Sequence, residues 1–272
     1  MSNATTIINL SAYDLALASV LILLLAGVSL WMQLGLAQQL VVAAVRTTVQ
    51  LLLIGVVLKT LFSFSQWYWV ASLAMVMLMI AGREVIARQR HRLGGWWGFG
   101  VSTASMFLST FVITLLVLVL IIGNEPWYKP QYAIPILGMM LGNTMTGIAL
   151  GMNTLTQTTL QQRAVVESRL MLGQSWRLAM EPILKEATRT GMIPIINSMA
   201  AAGVVSLPGM MTGQILAGNP PLIAVQYQIM IMFMITAGTG FGTVLAVRLT
   251  ARRLFDERER FRGDRLRNAR KD

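Results

Sequence analysis

Apolar positions along this chain come in long blocks, without the alternation that a half-buried strand would show. Each block approaches the ~20 residues that a helix needs to cross a hydrocarbon core, and short polar stretches separate them. Seven crossing helices are predicted, at residues 13–34, 40–61, 67–82, 98–122, 132–152, 190–207 and 222–247. The first two are joined around Gly35 as a tight hairpin. The third is short, with room to extend towards Gln66 or past Arg83. The sixth is interrupted by Pro194 and by Leu207-Pro208-Gly209, because proline lacks a donor and restricts the residue before it. Pro208 and Gly209 are expected to stop that helix. Met210, Met211 and Gln214 then fall near the outer mouth, in a re-entrant turn, a gate or an ordinary loop. The pattern is that of an all-α polytopic membrane protein with about seven transmembrane helices, forming one transmembrane domain over residues 1–272.

Composition supports this reading. Of 272 residues, 55 % are hydrophobic and only 12 % charged, against roughly 25 % charged in soluble domains. All but three of the 22 Lys and Arg (Arg46, Lys59 and Lys129) lie in segments 83–93, 153–190 and 248–272. With seven spans these three segments share one side, which the positive-inside rule makes the cytoplasm. The N-terminus is then outside and the basic 248–272 tail inside. The N-terminus lacks the basic region of a secretory signal, so the first apolar block is expected to be retained. Trp67, Tyr68, Trp69, Trp96, Trp97, Trp127 and Tyr128 sit at span ends, as interfacial anchors do. The net charge of +11 adjoins apolar spans, which favours an anionic membrane leaflet over nucleic acid as its partner.

Several chemistries are excluded or disfavoured. There is no Cys, hence no disulfide, thiolate metal site or Cys nucleophile, and one His, His91, builds no multi-His site. No metal site and no cofactor bound by this chain are expected. Nineteen Met residues offer soft thioether ligands, but methionine is also an adaptable packing residue. Arg46 and Gln50, four apart, share one face of the second span. An arginine within a span must face protein or water, so Arg46 is either a substrate or gating contact or an interhelical anchor. No Asp or Glu lies deep in any predicted span, which disfavours a proton-relay carrier. In the fifth span Gly138/Gly142 and Gly147/Gly151 allow close helix approach, as Gly238/Gly242 does in the last. Asn143, Thr146 and, in the sixth span, Asn197 are polar groups able to bond across an interface or line a path.

Residues 153–189 are too polar to span. Apolar residues at helical spacing and Gly173 divide them into a cytosolic helical hairpin. From Glu167 the order Glu-x5-Gly173-x9-Ile183 resembles the EAA loop of ABC importer permeases, with Lys185-Glu186 where that pattern ends in Leu-Pro. The resemblance implies a coupling segment for an ATPase, with Glu167, Leu170, Gly173, Trp176, Arg177 and Ile183 as docking residues. Trp176 is its expected anchor, since aromatics dominate interface energies. The chain has no phosphate-binding loop, because none of its lysines follows Gly, so any ATPase is another chain that uses the ATP.

The run Val204-Val205-Ser206-Leu207-Pro208-Gly209-Met210-Met211-Thr212-Gly213, followed by Tyr227-Gln228-Ile229-Met230, resembles the bacterial FetB permease family and the related plant aluminium-tolerance permeases. Arg46-x3-Gln50-Leu51-x3-Gly55 and Gly142-Asn143 extend the likeness over residues 40–250. The resemblance implies a multi-pass permease of the bacterial inner membrane. It would be part of an ABC exporter of iron linked to oxidative-stress resistance, dimeric, paired with a separate ATPase and itself no enzyme. The candidate path residues are then Arg46, Gln50, Asn143, Thr146, Asn197, Met210, Met211 and Gln214. The residues themselves supply no carboxylate, His or Cys cluster suited to bare iron. The competing readings are a self-contained secondary carrier or channel and a membrane-embedded enzyme.

Overall fold

The computed structural model describes residues 11–63, 66–123 and 125–268. Helix α1 (Ala12–Trp31) opens with a reciprocal cap: the Asp14 amide donates to Ser11 Oγ, and Asp14 Oδ2 accepts from the Ser11 amide at 2.8 Å. The chain reverses through Gln33 (φ 53°) and Gly35 (φ 69°), left-handed positions that a tight helical hairpin requires. Then follow α2 (Ala37–Ser63), α3 (Trp67–Ala87), the short strand β1 (His91–Leu93) and α4 (Trp97–Ile122). Two wide π-type turns, Phe107–Phe111 and Val117–Ile122, interrupt α4. Helix α5 (Pro130–Gln161) starts with proline in its first turn, where a missing N–H is harmless. Next come α6 (Arg163–Met171), α7 (Trp176–Ala201), α8 (Gly209–Leu216) and α9 (Pro221–Arg253). Strand β2 (Leu266–Asn268) returns to pair antiparallel with β1, Leu93 opposite Leu266.

The chain is an all-α polytopic membrane protein. Six helices among the described residues are long and apolar enough to cross a membrane: α1, α2, α3, α4, α5 and α9. They match six of the predicted blocks, but α5 and α9 run on well past the apolar stretch. A change of side-chain polarity does not end a backbone hydrogen-bond ladder.

The sixth predicted span is different. Helix α7 begins at Trp176, inside the segment expected to project as a hairpin. It passes Pro182 and Pro194 without a break and ends at Ala201, before Pro208 is reached. The expected stop at Pro208-Gly209 is therefore corrected. Pro208 is the N-cap residue of α8, its fixed φ suiting a helix entry, and the preceding helix has already ended. The two internal prolines each remove one backbone bond, a loss tolerated because close packing of α7 on its neighbours, as at Gly191, holds the helix in place.

Three apolar layers stack along the bundle. The layer at one end joins Val70, Val117, Ala133, Met140, Ile195, Ile231 and Met234. The middle one centres on Leu78, Val85, Met106, Ile148 and Met152. The layer at the end that carries most of the arginines holds Leu155, Val166, Met180, Ile183, Val247, Leu254 and Phe255. Glycines let α5, α7 and α9 interlock. A Cβ on Gly191 would lie 2.6 Å from the Gly147 carbonyl oxygen, and one on Gly242 would lie 2.7 Å from Thr144 Cγ2. Of the two predicted small-residue pairs in α5, Gly147/Gly151 makes this contact. Gly142 faces open space, and Gly138 meets only Met77.

Candidate functional site

Two groups of residues carry candidate chemistry. The first is the corner between α6 and α7 at the basic end. Gly173 turns it, with φ +82°, a conformation that side chains rarely adopt. Arg163 Nε donates to Glu167 Oε1 at 2.7 Å, fixing Glu167 one turn away along α6. Arg169 Nη1 donates to the Ala179 carbonyl at 3.2 Å and ties α6 to α7. Ile183 is buried in the layer beneath, and Leu170 packs on that layer's edge. Trp176, expected as a free anchor, is largely used inside the chain. Its ring stacks on Phe255 (5.7 Å between centroids, 23° between planes), and its amide donates to Glu259 Oε2 at 3.0 Å. The Arg177 guanidinium lies 5.6 Å from the same ring. What the corner presents outward is Met171 and Leu172, each 82 % exposed.

The partners of Trp176 come from the expected 248–272 tail, whose described part, up to residue 268, folds back as structure. Phe255 is buried, with Phe261 against it. The Asp256 carboxylate accepts amides of Arg260 and Arg258 at 2.8 and 3.0 Å. The amide of Arg260 foremost holds its carboxyl below the usual range. Arg265 Nη1 donates to the carbonyls of Arg253 and Phe255. The sequence signal for this was faint: two phenylalanines amid arginines.

The second group is spread over α2, α3, α5, α7 and α8. Arg46 on α2 pairs with Glu84 on α3. Apolarity alone ends the third span at Gly82, whereas the helix continues to Ala87 and so carries Glu84. The expectation that no acid lies deep in a span thus needs this addition at the end of α3. Gln50 is exposed on α2, whose most apolar stretch has no buried residue. Asn143 and Asn197 are exposed on the mutually packed helices α5 and α7, and Thr146 is half-buried. Asn143 Nδ2 donates to the Met139 carbonyl at 2.8 Å, and Thr146 Oγ1 to the Gly142 carbonyl at 3.1 Å. Met210, Met211 and Gln214 lie half-buried on α8, with Met210 against the first apolar layer. Gln214 Oε1 is buried and finds no hydrogen-bond partner among the described residues. Arg46 is therefore engaged with α3, while Asn143 and Asn197 sit on the central helices. Among the described residues no three His, Cys, Asp or Glu come together as a metal site would need.

Comparison with known proteins matches residues 12–255 to the family described as "Uncharacterised protein family (UPF0014)". The chain belongs to that family. The "UPF0014 membrane protein slr1647" of Synechocystis is 37 % identical over 84 % of this chain and 88 % of its own length. The "Probable iron export permease protein FetB" of Escherichia coli is 32 % identical, covering 92 % of this chain and 94 % of that protein. "Protein ALUMINUM SENSITIVE 3" of Arabidopsis thaliana is 34 % identical over 86 % of this chain and 83 % of its own. No solved structure matches the chain. The resemblance to the FetB family read from the sequence is thus borne out, and the chain is a multi-pass protein of a membrane permease family.

Proposed function

We propose that this chain is the translocation subunit of an ABC transporter in the bacterial inner membrane, driven by a separate ATPase subunit and working as a homodimer. It would export iron or an iron chelate, in the service of iron homeostasis and oxidative-stress resistance. The N-terminus lies outside and the arginine-rich end inside, with α7 and α8 together completing the seventh crossing. The iron label is supported by the name of the Escherichia coli relative, since this chain's own residues offer no hard-ligand cluster. Homodimerisation is supported by Asn143 and Asn197, polar groups exposed on central helices, which on the proposed seven-span topology need protein or water facing them.

The observation that carries the ATPase reading is the α6–α7 corner. Met171 and Leu172 project from a turn backed by a buried apolar layer and a folded tail. An adjacent apolar pair on a rigid turn suits insertion into a partner's groove, where burying each side chain is worth about 2 kcal/mol. Leu172→Asp should lower copurification of the ATPase at least tenfold while the permease still inserts and elutes as a single species. Undiminished copurification by Leu172→Asp and by Met171→Asp would remove this corner as the docking site. One observation favours a self-contained carrier: Glu84 supplies an acid near the membrane. Substrate flux in vesicles holding the permease without an ATPase would establish that reading instead.

A further inference from the structure

A groove at the basic end is lined by the first turns of α4, the last turns of α9, the start of α7 and the folded tail. Its volume is about 840 Å³, enough for a phospholipid headgroup and the top of an acyl chain. One wall is apolar: Gly100, Val101, Ala104 and Leu249. Trp96 and Trp97 flank it, exposed as a belt residue is, so the groove opens sideways at the level of the membrane surface. A Cβ added to Gly100 would meet nothing within 4 Å, so that wall is free to receive a chain.

The opposite end is cationic. Arg177, Arg252 and Arg253 line the groove. A second cavity of about 500 Å³ shares Trp176, Arg177, Leu249 and Arg252 with it and adds Arg248. Arg248 and Arg252 are four apart on α9, a spacing at which like charges repel. Among the described residues, none of Arg177, Arg248, Arg252 and Arg253 has a carboxylate within ion-pair distance. Of the groove's three acids, Asp256 is bonded to backbone amides of the tail and Glu259 to the Trp176 amide, while Glu257 is exposed and forms no ion pair with these arginines. The Arg253 guanidinium lies 4.1 Å from the centre of the Trp97 ring, which leaves the donors at its edge available. Arginines that no carboxylate pairs, beside an apolar wall flanked by Trp96 and Trp97, call for an anion that carries a hydrocarbon chain.

We infer that this groove is a binding site for an anionic phospholipid. The phosphate sits among Arg177, Arg248 and Arg252, and the acyl chain lies along Gly100, Ala104 and Leu249. The inference depends on the chain being a membrane protein and is independent of its proposed pairing with an ATPase. An acidic protein surface would account for the arginines but would leave the apolar wall beside Trp96 and Trp97 unused.

The test uses the full-length chain in detergent micelles doped with phosphatidylglycerol or with phosphatidylcholine, read by thermal unfolding and by lipid retained after purification. Phosphatidylglycerol should raise the unfolding temperature and be retained preferentially, while phosphatidylcholine, or inorganic phosphate in undoped micelles, should have no such effect. Replacing Arg248→Gln and Arg252→Gln together should weaken the phosphatidylglycerol effect at least tenfold in the lipid concentration required, at about fivefold per surface arginine. Gly100→Leu fills the apolar wall with no change of charge and should reduce retention on its own. Equal effects of the two lipids, or an undiminished phosphatidylglycerol effect in both variants, would overturn the site. So would a phosphate effect matching that of the lipid. Loss of ATPase copurification in the double variant with lipid binding intact would assign the arginines to a protein partner and overturn it too.

Discussion

Helices α5 and α9 and the α1–α2 hairpin are all apolar enough to cross a membrane, yet they are held in opposite ways. In the most apolar stretch of α5 and of α9, 56 % of residues are buried within the chain, whereas the corresponding figures are 11 % for α1 and none for α2. Glycine and threonine bring α5, α7 and α9 into backbone contact, and the stripe is specific because each missing Cβ is filled by a named neighbour. The hairpin has no such stripe. Leu61 reaches the first apolar layer, and Arg46 holds Glu84. Apolarity thus decides that a helix enters the membrane, and small residues decide which helices form the body of the subunit. The hairpin is left with most of its surface uncovered by the rest of the chain.

The contrast can be broken most forcefully at Gly191. Leucine there would collide with the Gly147 carbonyl and Thr243, on backbone that has no room to move. A loss of about 3 kcal/mol, the upper end for overpacking, should show as loss of the monodisperse species in size-exclusion chromatography. Gly55→Leu on α2 meets nothing within 4 Å and should fold normally, with any effect confined to association between copies. Equal damage from both would show that the hairpin is as tightly packed as the body.

A smaller effect is expected from the link between the two regions. Arg46→Ala should lower the amount of folded protein modestly, by about 1 kcal/mol given the partial exposure of both partners. Exchanging the charges, Arg46→Glu with Glu84→Arg, should restore it if the role is anchoring. Protein at normal level in Arg46→Ala with transport lost would make Arg46 part of the path.

The smallest effect concerns the tail on the body's side. Asp256 is held below its ordinary 3.8 in the fold, so its contribution is present above that value and lost as pH falls through the lowered one. Hydrogen-exchange protection of the Arg260 amide should be constant from about pH 8 to 5 and fail only below the ordinary carboxylate value. Fading nearer neutrality would mean that another group holds the tail.

Much of this was legible in the sequence. Six of the seven predicted spans appear where run length placed them, because hydropathy over some twenty residues is a strong signal. Gly173 at a turn and the Gly147/Gly151 pair at a helix crossing follow from properties of glycine itself. What was not legible depends on partners far along the chain. Nothing near Pro182 or Pro194 announces that α7 passes through both. Nothing near Trp176 shows that Phe255 will cover its ring and Glu259 will bond its amide. Glu84 was hidden by ending a helix where its apolarity ended.

The pairing of His91–Leu93 with Leu266–Asn268 has a mechanical meaning. It closes the chain from the α3–α4 connection, through every later helix, into a ring fastened by backbone hydrogen bonds. If a partner docks at the α6–α7 corner as proposed, the contacts through Trp176, Phe255 and the tail give a continuous route from there to the connection between α3 and α4.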